Sequence, residues 1–265
     1  MKIYLLGDIG EYSDNLKKMI NYFNQETENS VILFLGDNFY PFGIKSVNDI
    51  KWNNLKDLNN SIPIWATLGN HDYLGNVKSQ IDYKSFNWNM PNFYYKKTFD
   101  YLDFFFIDTS ILVPDYSNID YDIVRNSIND EPLVKSKEMI DWLNEEFEKS
   151  TNTKIVIGHY PILSFGMYGV NKKLFSILFP IFSKFNVKYY ISGHDHNLQI
   201  IDVTTKNFSM KQIISGASSK IYPILKNASS KVFSKYGYIL INTKNKKVII
   251  NDVDSNELYS EDLEI

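Results

Sequence analysis

The most constraining feature of this 265-residue chain is a junction that recurs: an apolar run closes on a turn, and a metal-capable side chain stands in that turn. The clearest case is Val31-Ile32-Leu33-Phe34-Leu35 followed by Gly36-Asp37-Asn38-Phe39-Tyr40. A run rich in β-branched and aromatic residues reads as a buried strand, and open α/β sheets bind their ligands just beyond the carboxyl ends of such strands. Asp8, Asn70, His71, His159, His194 and His196 also follow apolar runs. The chain has four histidines and all of them belong to that set, which scattered core or surface histidines would have no reason to do. Oxygen and imidazole donors in these numbers suit two metal ions, and a central carboxylate, Asp37, can bridge both. Two-metal phosphoester hydrolysis is the chemistry this points to.

Composition removes several other classes. With 28 basic and 31 acidic residues the net charge is -3, and Arg125 is the only arginine, so no basic face for nucleic acid or an anionic membrane is expected. Zero cysteines excludes disulfides, thiolate ligands and cysteine nucleophiles. Met1–Leu6 is too short for the apolar region of a signal peptide. The run Leu174–Phe185 is interrupted by Ser176, Pro180, Ser183 and Lys184, short of the ~20 residues a membrane helix needs. A soluble chain is expected, with the cytoplasm favoured and a monomer as the default, although the sequence leaves compartment and oligomeric state open.

The first 72 residues alternate strand and helix. Lys2–Leu6, Val31–Leu35 and Ile62–Leu68 read as strands, Asn15–Asn24 and Val47–Leu58 as helical, a pattern that predicts parallel pairing with helices covering the sheet. Phe93–Tyr101 and Leu102–Thr109 read as adjacent strands, and Ser110–Lys137 as a long acidic connection without a clear period. Beyond it come a helix at Met139–Phe147, a strand at Lys154–Ile157, a helix at Leu174–Phe185, and strands at Lys188–Ile191, Lys211–Ile214, Tyr236–Asn242 and Lys246–Asp252. No repeat or linker divides the chain, so residues 1–265 are read as a single α/β domain.

Taken in order, Gly7-Asp8-Ile9-Gly10, Gly36-Asp37-Asn38-Phe39-Tyr40, Gly69-Asn70-His71-Asp72, Val156-Ile157-Gly158-His159 and Gly193-His194-Asp195-His196 resemble the five motifs of the metallophosphoesterases. The tyrosine three residues after the second aspartate is similar to the purple acid phosphatase branch. His159-Tyr160-Pro161 and His194-Asp195-His196-Asn197-Leu198-Gln199 resemble its small, tartrate-resistant type, and the likeness runs from Lys2 to about Asn242. The resemblance implies a four-layer α-β-β-α sandwich of two mixed sheets flanked by helices. It also implies that Asp8, Tyr40 and His196 hold Fe(III), that Asn70, His159 and His194 hold Fe(II), Zn or Mn, and that Asp37 bridges them. On this reading a metal-bound hydroxide attacks a small phosphomonoester in line, Asn70 and His71 contact the substrate, and His71 serves as general acid. Asp37 counts as catalytic through the bridge. A phenol titrates near pH ~10, so a phenolate at mild pH requires a strong Lewis acid such as Fe(III), which fits Tyr40.

Three points depart from the pattern or stay open. The small-type enzymes carry a further histidine after the fourth motif, whereas Met167–Leu174 has none, leaving Lys172 or Asn171 as candidates for that neighbourhood. Asp72 reads either as a group orienting His71 or as an exposed loop aspartate, and Ser110–Lys137 either as a lid or as a solvated loop. A phosphodiesterase or nucleotide hydrolase on the same centre, and a non-catalytic scaffold, are the alternatives.

Overall fold

A computed structural model of the protein describes residues 1–26, 29–58, 62–84, 87–114, 121–225 and 231–265. The first part of the chain forms β1 (Lys2–Leu6), α1 (Asp14–Asn24), β2 (Ser30–Leu35), β3 (Ile64–Thr67), the short helices α2 (Asn70–Tyr73) and α3 (Val77–Asp82), β4 (Trp88–Asn89), β5 (Tyr95–Phe99) and β6 (Leu102–Phe106). Next come α4 (Thr109–Leu112), α5 (Tyr121–Ile128), α6 (Pro132–Lys149), β7 (Thr153–Ile157), α7 (Lys172–Phe185) and β8 (Tyr189–Ser192). The chain finishes with β9 (Leu198–Thr204), β10 (Ser209–Ser215), β11 (Val232–Phe233), β12 (Gly237–Asn242), β13 (Lys247–Asp252) and β14 (Glu257–Asp262).

Two seven-stranded mixed sheets result, ordered β14-β13-β12-β1-β2-β3-β4 and β11-β9-β10-β8-β7-β6-β5. In the first, β1 to β4 pair in parallel and β12 runs antiparallel to β1. In the second, β6, β7, β8 and β10 are parallel. Residue alternation decides what each face covers. Phe105 packs its ring on Phe147 of α6, centroids 4.7 Å apart, while Phe106 stacks on Tyr95, whose hydroxyl reaches the Ala66 carbonyl in the other sheet at 2.7 Å. Tyr4 likewise turns outward onto Phe23 of α1, centroids 4.4 Å apart. The sheets therefore face each other with helices outside, as expected. Ser215 ties the seam: its hydroxyl donates to the Leu5 carbonyl and accepts from Ile239 N, at 2.7 and 3.1 Å.

Some expectations are revised. Ser110–Lys137 is not a structureless connection: α4, α5 and the first turns of α6 occupy most of it, while Asp115 and Asp120 lie outside the described residues. Val124 and Ile128 are the buried residues of α5, and Leu133 and Val134 in the first turn of α6 stay exposed, so no apolar period marked α5 or the start of α6. Pro132 at the first position of α6 starts it earlier than Met139. The Val47–Leu58 segment forms a 3-10 helix at Ile50–Leu55, fixed by Trp52 stacked on Tyr83 with centroids 3.5 Å apart. Among the described residues no helix is long and apolar enough to cross a membrane.

Candidate metal centre

Parallel strands of both sheets end at the same edge. Asp8 follows β1, Asp37 and Tyr40 follow β2, Asn70 and His71 open α2 after β3, His159 follows β7, and His194 and His196 follow β8. Asp8, Asp37 and His194 sit at φ of 60°, 53° and 67°, the left-handed region that side chains other than glycine rarely adopt. Such strain persists where the surroundings over-determine it, commonly at functional sites.

The structure brings all seven expected ligands together, in two groups that share Asp37. In the first, Tyr40 Oη lies 3.0 Å from Asp8 Oδ1, 3.1 Å from Asp37 Oδ2 and 3.1 Å from His196 Nε2. His196 Nε2 is 3.2 Å from Asp8 Oδ1. In the second, His159 Nε2 lies 3.2 Å from Asn70 Oδ1, 3.2 Å from His194 Nδ1 and 3.4 Å from Asp37 Oδ1. The two carboxylate oxygens of Asp37 thus divide between the groups. Donors on a common ion at ~2.1 Å stand about 3.0 to 3.5 Å apart, according to octahedral or tetrahedral geometry, and the observed spacings fall in that band. Asp37, His159 and His194 also form a buried three-donor cluster with their ligand atoms within 4.8 Å of one another.

Outer contacts aim the donors. His159 Nδ1 donates to the Leu35 carbonyl at 2.8 Å, which leaves Nε2 facing the centre. Asp8 Oδ2 accepts from His194 N at 2.8 Å, and Asp37 Oδ1 accepts from His71 N at 2.9 Å. Glycine is required where these groups close in. A Cβ on Gly193 would meet Asp8 Oδ2 at 2.6 Å, and one on Gly69 would overlap Asp37 Oδ1.

Electrostatics fits cations rather than protons. Asp8, Asp37 and Tyr40 are buried together, and the ion-pair partners of the two carboxylates among the described residues are histidines. Burial and the adjoining carboxylates push the Tyr40 phenol well above its usual value, so ionising it requires a strong Lewis acid. Burial opposes protonation of His159, yet the Asp37 carboxylate overrides it and holds the imidazole up at about 9. Burial also raises Asp37, but the charge and hydrogen bond of His159 dominate and keep it far below the ordinary carboxylate range. In effect His159 carries a proton where the donor set has room for an ion.

His71 stands beside the cluster, outside both groups. Its Nδ1 lies 2.7 Å from the Pro41 carbonyl and its ring meets that of Tyr40 edge-on at 4.7 Å. Asp72 neither orients His71 nor reaches solvent: it is buried and accepts from Gly69 N at 2.8 Å, Asn38 N at 3.1 Å and Gln80 Nε2 at 2.8 Å, binding the second and third loops together. Asn171 is committed to capping α7 through Leu174 N at 3.0 Å, and Lys172 is exposed on the first turn of that helix. Tyr168 instead lays its ring on His194, centroids 4.0 Å apart, and Tyr160 meets the same imidazole edge-on at 4.8 Å. Sequence reasoning also passed over Lys220 and Tyr222, although they follow β10, where the strand-end rule applies to them equally.

Comparison with known proteins agrees with this geometry. The family model for calcineurin-like phosphoesterases matches residues 1–198. Tartrate-resistant acid phosphatase type 5 of Rattus norvegicus is 30% identical over 212 residues, covering 74% of this chain and 63% of that protein. Purple acid phosphatase 7 of Arabidopsis thaliana is 33% identical over 202 residues, covering 72% and 60%. The chain therefore spans less than two thirds of the length of these relatives. Among solved structures, the inner-membrane-complex anchor GAP50 of Plasmodium superposes with a TM-score of 0.78 at 24% identity, covering all of this chain and 89% of that one. A purple acid phosphatase from yellow lupin seeds superposes with a TM-score of 0.67 at 12% identity, covering 98% and 53%. With ordered motifs, a matching fold and a matching family model in agreement, the chain belongs to the calcineurin-like phosphoesterase family, alongside the tartrate-resistant and purple acid phosphatases.

Proposed function

We propose that this protein is a dinuclear-metal phosphatase acting on phosphomonoesters. The observation that carries the reading is the pair of donor groups joined through the two oxygens of Asp37, with every donor buried. Asp8, Tyr40 and His196 would hold Fe(III), while Asn70, His159 and His194 would hold Fe(II), Zn or Mn. Two cations so held supply Lewis acidity to phosphoryl oxygens and acidify water enough to give a nucleophile at mild pH.

The remaining work falls to side chains of the chain itself. Asp37 fixes the spacing of the two groups, and its Oδ1 also accepts from His71 N, which couples the bridge to the loop carrying His71. His71 Nδ1 donates to the Pro41 carbonyl, which fixes the ring, so the proton for a departing alkoxide is the one that the imidazolium form adds on Nε2. The apolar rings of Tyr168 and Tyr222 shield the outer faces of His194 and His196 from water.

Purified protein assayed on matched mono- and diesters, with metal content measured on the same sample, tests the reading. Faster turnover of the monoester by protein holding two ions per chain is expected. Faster diester turnover would replace the substrate class, and inactive protein that retains both ions would move the chain toward the scaffold alternative.

A further inference from the structure

The segment after β10 is fastened to the first donor group at two points. Ser219 Oγ donates to the Asp8 carbonyl. Three residues on, Tyr222 N donates to the His196 carbonyl at 2.7 Å, and the Tyr222 ring stacks on the His196 imidazole with centroids 4.2 Å apart and planes 19° from parallel. Lys220 lies between these fastenings, and its Nζ rests 4.3 Å from the centroid of the Tyr40 ring. A flexible stem held at its root next to the centre delivers an ammonium to the mouth of the site.

That ammonium has a weak competitor. Its carboxylate neighbour is Glu11, 3.4 Å away, with the two side chains 40% and 58% exposed. Solvent screens such a pair, so a strongly charged dianion displaces it readily. The segment that carries Tyr168, whose ring lies on His194, exposes Met167 and Val170, none of them cationic. Arg125 is engaged with Asp122 at 3.0 Å on α5. His71 contributes an imidazole from a third loop, edge-on to the same Tyr40 ring.

Resting on the dinuclear phosphatase reading above, we propose that Lys220 is a substrate-binding residue that anchors the non-bridging oxygens of the phosphoryl group. An ammonium within reach of a phosphoryl group binds its oxygens through charge-assisted hydrogen bonds. Lys220 holds the phosphoryl group in the ground state and the transition state alike, so its removal raises KM and leaves kcat nearly unchanged.

The experiment measures inorganic phosphate binding to the metal-loaded wild type, Lys220→Met and Lys220→Arg proteins by calorimetry at two salt concentrations, alongside metal content and visible spectrum without phosphate. Lys220→Met is expected to bind phosphate about tenfold more weakly with a shallower salt dependence, to keep its metals and spectrum, and to raise KM by a similar factor. Lys220→Arg is expected to stay within about threefold of wild type. A metal-loaded Lys220→Met protein that binds phosphate within about twofold of wild type would overturn the assignment of Lys220 alone. Wild-type protein that retains no pair of ions would overturn the reading of the centre and this inference with it.

Discussion

Gly36→Ala tests the geometry at a residue that holds no ligand itself. Gly36 has φ of +90°, and a Cβ there would lie 2.6 Å from His159 Nδ1, 2.8 Å from His159 Cγ and 2.9 Å from Gly69 N. The imidazole cannot swing aside, because its Nδ1 is bonded to the Leu35 carbonyl and the residue is fully buried. Backbone strain of ~1–3 kcal/mol and overpacking of ~1–3 kcal/mol together give a destabilisation of about 4 kcal/mol. For a chain of this size that lowers Tm by roughly 8–16 °C. The contact is one-sided: it displaces a donor of the Asn70, His159 and His194 group, whereas Asp8, Tyr40 and His196 are not among the atoms it meets. Retention of the second ion should weaken ~10- to 100-fold, as when an outer contact of a metal-ligating histidine is lost. Elemental analysis after dialysis, with a thermal melt, should find a Gly36→Ala protein with one ion per chain and a lower Tm. Two ions retained and a Tm within about 2 °C of wild type would refute the argument.

Other outcomes follow from the same structure. His71→Ala should keep both ions and lose ~10²- to 10⁴-fold in kcat on an unactivated monoester, with a smaller loss on an aryl ester whose leaving group needs no proton. Loading the second group must displace a proton from His159, held up at about 9, so divalent affinity measured by titration between pH 6 and 8 should rise about tenfold per pH unit. Buried Asp108 accepts from Tyr73 Oη at 2.7 Å and Ser110 N at 2.9 Å, yet burial pushes its carboxyl up to about 7. Because the folded value lies above the unfolded one, the native state binds the extra proton, and this contribution is complete below about pH 4 and lost as pH rises through about 7. Asp108→Asn should therefore flatten the denaturant stability profile across that window, and an unchanged slope would count against it.

The parts of the fold and the centre that could be read in advance are those where a short-range signal coincides with the long-range structure. Each of β1, β2, β3, β7 and β8 ends on a turn whose donor is set by local chain geometry, and glycine is needed there because the donors of other loops press in. The Leu198–Thr204 strand was hidden because it starts directly after His196 and Asn197 with no turn of its own. Strand β14, Glu257-Leu258-Tyr259-Ser260-Glu261-Asp262, lies at a sheet edge and carries the charges that edges use against unwanted pairing, so it does not look like a strand. Asp72 looked like a loop aspartate because its three donors come from Asn38, Gly69 and Gln80, a convergence that only the folded chain creates. Lys220 and Tyr222 follow a strand end as the ligands do, but neither residue type marks a site until the neighbours that the fold brings are known.

The central claim is that one carboxylate holds two cations between two donor groups, one of which includes a phenolate. Elemental analysis and the visible absorption of freshly purified wild type, Tyr40→Phe and Asp37→Ala proteins test it most directly. The account predicts two ions and a broad visible band in the wild type, loss of the band in Tyr40→Phe, and loss of both ions in Asp37→Ala. A single ion in the wild type, or two ions that survive the removal of Asp37, would contradict it.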